Sequence, residues 1–214
     1  MIIISSDITI YETLLISVLK IFMKILGING SPRKGGNTDV LLDKALEAAG
    51  DRGWKTEKII LNLLDISPPQ EIEYDKVNSE GLSPIQDDMQ IIYKKVKECD
   101  AIIIASPIFF GSLSAQTKIM IDRFQCAWVS KNILKKDTFK KKKSGAFICT
   151  SAARRKDFFQ NARAIVRNLF QVINTTYAGE LFCPGLEKKG EVKKHPGLLE
   201  SAYTLGQKVA GETD

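Results

Sequence analysis

The chain has 214 residues, and its 31 Lys and Arg against 25 Asp and Glu give a formal net charge of +6. With 44% hydrophobic and 26% charged residues, the composition is that of an ordinary globular protein, which argues against disordered, collagen-like and membrane-spanning classes. The length predicts a single domain with a full hydrophobic core.

Residues 1–22 precede the regular pattern and contain an apolar stretch long enough to suggest a membrane anchor. Glu12 and Lys20 interrupt it, so no uncharged span of about 20 residues remains, and we expect no membrane span. Two interpretations stay open. Either residues 1–22 form an N-terminal extension with an amphipathic helix, or the natural chain starts at Met23. The apolar face of such a helix would comprise Leu14, Leu15, Val18, Leu19 and Phe22.

In residues 23–214, apolar runs of strand length alternate with segments of helical spacing. Strands are predicted at residues 24–29, 55–61, 100–106, 145–150 and 175–183, and helices at residues 38–50, 87–98, 112–129, 157–173 and 196–210. The run DAIIIAS at 100–106 is typical of a central strand with both faces covered. This alternation predicts an α/β fold, with helices in layers on both sides of a five-stranded parallel sheet.

The excess positive charge is concentrated in residues 131–144, which contain seven Lys and one Asp. Phe139 is the single aromatic residue of this run, whereas nucleic-acid surfaces usually combine such charge with several aromatic side chains. We therefore interpret the run as a solvated loop before a buried strand, and we expect no nucleic-acid partner.

The four cysteines, at positions 99, 126, 149 and 183, are too widely spaced for a CxxC redox pair or a zinc knuckle. We expect reduced, buried thiols, as in a cytoplasmic protein. The single histidine, His195, precedes Pro196, and the pair suits the start of the last helix. One histidine also leaves no Ser-His-Asp or Cys-His arrangement, which disfavours most hydrolase mechanisms.

The loop GSPRKGGNT, residues 30–38, joins the first strand to the first helix, at the edge where parallel α/β sheets bind ligands. Its glycines let backbone N–H groups turn inward, and the helix start favours an anion. A guanidinium in the loop adds a fork that binds two oxygens. The pattern predicts a site for a terminal phosphate, although the same residues also suit a plain helix start. The candidate ligands are Ser31, Arg33, Gly36, Asn37 and Thr38.

Two other phosphate motifs do not fit this loop. A Walker loop, GxxxxGK[ST], needs Lys after its second glycine, but Gly35 is followed by Gly36 and Asn37. A GxGxxG dinucleotide fingerprint is missing because two residues separate Gly27 from Gly30. ATP hydrolysis and a Rossmann-type NAD site are therefore disfavoured.

The loop after the central strand carries three large apolar residues in a row: Ile108, Phe109 and Phe110. Pro107 is predicted to end the strand, and Gly111 to permit a tight turn. Apolar side chains at an exposed rim are costly unless a flat ring or another subunit covers them. Packing beneath the helix at 112–129 is the alternative.

Three segments together resemble one family. They are residues 24–38 (KILGINGSPRKGGNT), residues 99–123 (CDAIIIASPIFFGSLSAQTKIMIDR) and residues 179–206 (GELFCPGLEKKGEVKKHPGLLESAYTLG). They are similar to the flavodoxin-like NAD(P)H-dependent FMN reductases, and particularly to the iron-sulfur flavoprotein branch. The resemblance implies a flavodoxin-like three-layer sandwich with strand order 2-1-3-4-5, bound FMN, and subunits that pair as a dimer or tetramer and help to cover the flavin.

The resemblance also implies roles for individual residues. The FMN phosphate would be held by Ser31, Arg33, Asn37 and Thr38. The flavin ring would contact Pro107, Ile108, Phe109, Phe110, Gly111 and Ser112. Its polar edge would lie near Ser151 and Ala152.

Two positions depart from the family pattern. Iron-sulfur flavoproteins carry a compact cysteine cluster after the second strand, but residues 62–86 contain no cysteine, so we expect no iron-sulfur cluster. A tyrosine is common at the position of Phe109, whose ring has no hydroxyl.

The expected function is that of a cytoplasmic, homo-oligomeric, FMN-dependent oxidoreductase that uses NAD(P)H as co-substrate and passes electrons to a quinone, a flavin or another carrier. Because the flavin carries the redox chemistry, the lack of catalytic histidines is no objection. Two alternatives stay open: an electron-transfer flavoprotein without a nicotinamide step, and a binding protein that uses the Lys run on a degenerate flavodoxin-like fold.

Overall fold

A twisted parallel sheet forms the centre of the molecule, which the computed structural model describes for residues 23–70 and 77–211. The expected N-terminal extension, residues 1–22, lies outside the described residues. The strands are β1 (Lys24–Asn29), β2 (Lys55–Ile60), β3 (Ala101–Phe109), β4 (Ser112–Leu113), β5 (Lys143–Ser151) and β6 (Thr175–Pro184). Five of them pair in parallel in the order β2-β1-β3-β5-β6, and β4 pairs antiparallel with the end of β3. This is the predicted order with one short strand added.

Helices cover both faces of this sheet. They are α1 (Asn37–Asp51), α2 (Met89–Glu98), α3 (Ala115–Asp122), α4 (Gln125–Asn132), α5 (Lys156–Val172) and α6 (Pro196–Val209). One core cluster joins the sheet to α2, α3, α4 and α5, and a second joins it to α1 and α6. Along β3, Ile102 and Ile104 belong to the first cluster and Ile103 to the second, so this strand is buried on both faces as predicted. The three-layer, flavodoxin-like fold class is confirmed.

The prediction of one continuous helix at 112–129 is wrong. Its first two residues form β4, α3 starts only after Ser114, whose side chain accepts a hydrogen bond from the Thr117 N–H, and the chain turns again between α3 and α4. At that turn the Arg123 side chain is fully buried, and its guanidinium forms an ion pair with Asp87 in the loop between β2 and α2. A long-range ion pair therefore interrupts a segment whose local spacing is helical throughout.

The prediction that Pro107 ends the central strand is also wrong, because β3 continues to Phe109. Pairing of β3 with β1 stops at Ala105, while pairing with β5 continues through Pro107. One side of β3 is thus free of a neighbouring strand at the proline. A residue without an N–H is tolerated in a strand at such a free edge.

The lysine-rich run, residues 131–144, is mostly exposed, but two of its side chains enter the protein. Phe139 and Lys143 are each only 2% exposed. The Lys143 ammonium donates hydrogen bonds to the carbonyl oxygens of Lys141 and Ile173, and burial lowers its pKa. The description as a solvated loop is therefore corrected at these two positions, where burial fixes the loop to the core.

The start of α6 is formed as predicted, with Pro196 in its first turn and His195 at the N-cap position. The imidazole makes no capping hydrogen bond, so the histidine contributes its backbone position alone. Across residues 23–70 and 77–211, the helices are all too short or too polar to cross a bilayer.

Candidate functional site

A cleft of about 190 Å³ opens at the carboxyl edge of the sheet, between the loops that follow β1, β3, β5 and β6. Most of the residues predicted for the site line it, and Phe110, Gly111 and Ser112 do not. The lining consists of Ser31, Arg33, Gly36, Asn37, Thr38, Pro107, Ile108, Phe109, Thr150, Ser151, Ala152, Leu186, Glu187 and Lys189. Thr150, Leu186, Glu187 and Lys189 were not singled out from the sequence.

The start of α1 presents backbone donors to this cleft. Gly36 is the N-cap residue, and its carbonyl oxygen accepts the Val40 N–H at 3.0 Å. Among the described residues, the N–H groups of Asn37, Thr38 and Asp39 have no hydrogen-bond partner. Free N–H groups at a helix start, together with the helix dipole, form a site that suits a phosphate or another anion.

Two buried side chains that sequence reasoning missed hold the loop before α1 in shape. Asn29, at the end of β1, accepts the Ser31 N–H at 2.9 Å and donates to the Asp39 carboxylate at 2.8 Å. The other oxygen of Asp39 accepts the Gly35 N–H at 2.7 Å. A polar residue closing an apolar strand and an acid in the first turn of the helix were the available signals. These three hydrogen bonds stabilise the conformation of the loop.

The negative charge of Asp39 is balanced locally. Its side chain is 6% exposed and lies 3.0 Å from the Lys58 ammonium, which also contacts Asp43 at 2.5 Å. Burial lowers the pKa of Lys58, but hydrogen bonds and charge from Asp43 and Asp39 outweigh it and raise the pKa overall. A cation paired in this way offsets the repulsion that Asp39 would exert on an anion at the helix start.

The side chains of Asn37 and Arg33 reach across to the loop after β6. The Asn37 amide donates to the Lys188 carbonyl oxygen at 2.9 Å and accepts the Val192 N–H at 3.0 Å. The Arg33 guanidinium, which is exposed, donates to the Glu187 carbonyl oxygen at 3.3 Å. Both polar atoms of the Asn37 amide are thus engaged with protein, which leaves its backbone N–H for a ligand.

The end of β5 and the start of α1 meet at the floor of the cleft. The hydroxyl groups of Thr38 and Thr150 lie 2.7 Å apart and share a hydrogen bond. Ser151 is buried, and its carbonyl oxygen accepts the Leu186 N–H at 3.0 Å, whereas Ala152 is exposed. Strands β5 and β6 therefore continue their pairing into the loops that form the cleft.

The β3–β4 hairpin carries the two aromatic rings of the rim. Phe109 is 43% exposed and Phe110 is fully exposed, so packing beneath a helix is ruled out for both rings. The turn places Phe110 at φ 50° and Gly111 at φ 78°. A phenylalanine in this left-handed region is uncommon and costs conformational energy, as is frequent at functional sites.

The start of α5 supports this hairpin from one side. The Asn161 amide donates to the Gly111 carbonyl oxygen at 3.0 Å, and the Phe158 ring packs against the Gly111 backbone. The Arg155 guanidinium lies over the Phe158 ring, 4.6 Å from its centroid. Phe158 is only half-buried, whereas its neighbour Phe159 is buried in the core.

The family model for NADPH-dependent FMN reductases matches residues 23–182. The chain belongs to this family. An iron-sulfur flavoprotein of Methanocaldococcus jannaschii is 34% identical over 195 residues, which span 88% of this chain and 96% of that protein. An iron-sulfur flavoprotein of Methanosarcina thermophila is 38% identical over 101 residues, 47% of this chain and 52% of that protein.

Solved structures agree with the flavodoxin-like architecture of this FMN reductase family member. The structure of an NAD(P)H:quinone oxidoreductase from Methanothermobacter marburgensis superposes with a TM-score of 0.69 at 14% identity, covering 90% of this chain and 98% of that one. At this identity the likeness shows the fold alone.

The cysteines of this family member are dispersed in the core. All four are free and buried, near the end of α2, in α4, in β5 and in β6. Burial raises the pKa of Cys99 to about 11 and that of Cys183 to about 12. In the described parts of the chain, no three His, Cys, Asp or Glu side chains are grouped to hold a metal ion.

A larger groove of about 640 Å³ lies on the outer helical face, between α3, α4 and α5. It runs along the sides of these helices, away from the carboxyl ends of the strands, where ligands of open α/β sheets bind. The smaller cleft has the helix start, the guanidinium and the aromatic rim. The cleft is therefore the candidate functional site.

Proposed function

We propose that this FMN reductase family member is an FMN-dependent NAD(P)H oxidoreductase that passes electrons to a quinone, a flavin or another carrier. The observation that carries the proposal is the cleft, which combines three N–H groups at the start of α1 that have no partner among the described residues with Arg33 and an exposed aromatic hairpin. The family match supports FMN as the cofactor and a nicotinamide as the electron donor.

In this proposal the loop before α1 binds the FMN phosphate, and the hairpin orients the flavin. The phosphate ligands are Ser31, Arg33, Gly36, Asn37 and Thr38, with Asn37 acting through its backbone. The ring contacts are Pro107, Ile108, Phe109, Phe110, Gly111 and Ser112, with Ser151 and Ala152 at the polar edge. Bound FMN supplies the two-electron chemistry with NAD(P)H. The chain's own task is to hold the cofactor and shield it from water.

A titration tests this function. Adding FMN to the protein should shift the visible absorption of the flavin, and adding NADPH or NADH without oxygen should bleach it. Multiple turnovers with a quinone as acceptor would complete the assignment. Flavin binding without bleaching would contradict the nicotinamide step and favour an electron-transfer flavoprotein.

We further propose a homo-oligomer, a dimer or tetramer, in the cytoplasm. A volume of about 190 Å³ is below the range of about 300–1,000 Å³ typical of pockets that enclose a ligand of this size. The fully exposed Phe110 ring leaves apolar surface beside the cleft. A symmetric partner is the commonest cover for such a surface, and four buried thiols suit a reducing compartment.

Replacing both Phe109 and Phe110 with alanine is expected to lower FMN occupancy and oligomer stability together. Adjacent side chains diverge, so one flat ligand covers only one ring well. Burying a phenylalanine contributes about 1.5–3 kcal/mol. Flavin content and sedimentation at low micromolar concentration measure the two effects. The control is Ile91→Ala on α2, where an exposed apolar side chain lies outside the cleft. Full flavin content with unchanged sedimentation in the double variant would contradict this role.

We also propose that no iron-sulfur cluster is present. Cluster ligands are thiolates, the loop at 62–86 has no cysteine, and burial raises the pKa of the Cys99 and Cys183 thiols, which disfavours their thiolate forms. Iron and acid-labile sulfide assays on protein prepared without oxygen are expected to give no signal above a metal-free control. Iron and sulfide in stoichiometric amounts would overturn the proposal.

A further inference from the structure

The loop after β6 forms a second wall of the cleft, opposite the start of α1. We use the name second wall for residues 185–192. Leu186 and Val192 anchor it, because both are buried in the core cluster beneath α1 and α6. Between these anchors, Glu187 and Lys189 face the cleft. The wall is therefore an ordered part of the site.

Three hydrogen bonds join the second wall to the loop before α1. The Asn37 amide makes two of them: it donates to the Lys188 carbonyl oxygen and accepts the Val192 N–H. In the third, the Arg33 guanidinium donates to the Glu187 carbonyl oxygen. Asn37 thereby fastens two segments that are 151 residues apart in the chain. These bonds fix the spacing between the second wall and the start of α1.

Hydrogen bonds within the second wall also stabilise its turn. One carboxylate oxygen of Glu191 accepts the N–H groups of Glu187 and Lys188, each at 2.9 Å, and these bonds lower the pKa of Glu191. Gly190 has φ 70°, and a Cβ there would lie 3.4 Å from the Gly35 carbonyl oxygen. The backbones of the two walls therefore approach closely at Gly190 and Gly35.

This close approach brings Lys189 over the loop before α1. A Cβ built on Gly35 would lie 3.9 Å from the Lys189 Cε. The Lys189 side chain is exposed, and it has no hydrogen bond or ion pair within residues 23–70 and 77–211. Two nearby acids are engaged elsewhere, Glu191 with the backbone of its turn and Asp39 with Lys58, whereas Glu187 lines the cleft together with Lys189. Lys189 thus brings to the cleft a positive charge that forms no ion pair within the described residues.

We propose that Lys189 binds the FMN phosphate from the second wall, as a further cofactor-binding residue opposite Arg33. The inference rests on the proposed function. A phosphate monoester carries a charge of about −1.5 to −2 at neutral pH. Arg33 supplies one positive charge and the helix start about half of one. The Glu187 carboxylate, which also lines the cleft, removes one positive charge, and the lysine ammonium, a compact point charge, restores it.

The test is a flavin titration of three full-length variants with FMN and with riboflavin, which lacks the phosphate. Lys189→Ala is expected to raise the FMN dissociation constant about tenfold at low salt, and to leave the riboflavin constant unchanged. Lys189→Arg is expected to retain most of the FMN affinity. Lys194→Ala is the matched control, because it removes the same charge from an exposed position of the same loop outside the cleft.

Each outcome separates the inference from the proposed function. Equal weakening of FMN by Lys189→Ala and Lys194→Ala would show a general charge effect and overturn the role of Lys189. Equal loss of FMN and riboflavin in Lys189→Ala would show a structural effect and overturn it as well. If Lys189→Ala still prefers FMN as strongly as the unaltered protein does, Lys189 is not a phosphate ligand and the proposed function stands. An unaltered protein that does not prefer FMN to riboflavin contradicts both.

Discussion

Replacing Arg123 with alanine is expected to lower the free energy of unfolding by about 3–5 kcal/mol. The Arg123 guanidinium is fully buried, pairs with Asp87 and donates to the Ser67 carbonyl oxygen and the Ser83 hydroxyl. Its removal leaves the Asp87 carboxylate, 8% exposed, without its cation. An uncompensated buried charge is among the costliest defects a substitution creates.

Chemical denaturation monitored by circular dichroism measures this loss. Lys118→Ala is the control, because Lys118 pairs with Asp122 on the surface of α3 and such exposed pairs contribute about 0–1 kcal/mol. The double variant Arg123→Met with Asp87→Leu removes both charges and is expected to recover part of the stability. Arg123→Ala with the stability of the control variant would show that the buried ion pair does not hold the loop between β2 and α2.

Replacing Arg33 with alanine is expected to weaken FMN binding by about 1.5–3 kcal/mol, the usual scale for a hydrogen bond to a charged group. Arg33 lines the cleft, and its guanidinium fork suits phosphate oxygens. Riboflavin binding is expected to stay unchanged, because riboflavin has no phosphate. Equilibrium titration with both flavins measures the difference.

The control for the Arg33 variant is a substitution of the neighbouring residue, Lys34. Lys34→Ala removes a positive charge from an exposed position of the same loop that does not line the cleft, so it should change FMN affinity little. If riboflavin bound the unaltered protein as tightly as FMN, the phosphate assignment at residues 30–38 would fail. Flavin binding would then have to depend on contacts other than the charge and hydrogen-bond donors of this loop.

Much of the fold was predictable because its signals are local. Apolar runs and helical spacing lie within short windows, so the alternation of strands and helices, the central position of β3 and the parallel sheet all followed from the residues. The two errors at Pro107 and at residues 112–129 have one cause. At Pro107, β1 no longer pairs with β3, and β3 continues past the proline. At residues 112–129, Arg123 forms a buried ion pair with Asp87 at the turn between two helices. Both features depend on residues distant in the sequence, so local spacing does not mark them.

In the candidate site, too, one part was predictable from the sequence and another part depends on the tertiary structure. The loop GSPRKGGNT predicts a phosphate site by residue type and by its place between a strand and a helix. The shape of that loop depends on Asn29 and Asp39, and the half-buried Lys58 on β2 balances the charge of Asp39. None of these side chains belongs to a recognisable motif, because their roles arise only when the strand end, the helix start and the neighbouring strand come together.

By itself, the sequence determined the class of fold, the position of the candidate phosphate loop and the lack of cysteine in residues 62–86, since each is a property of contiguous residues. The tertiary structure alone decided that Asn37 fastens two loops and that Phe109 and Phe110 stand exposed on a hairpin. It also decided that Lys189 faces the cleft. The physical reason is that burial, pairing and charge balance depend on neighbours that only folding brings together.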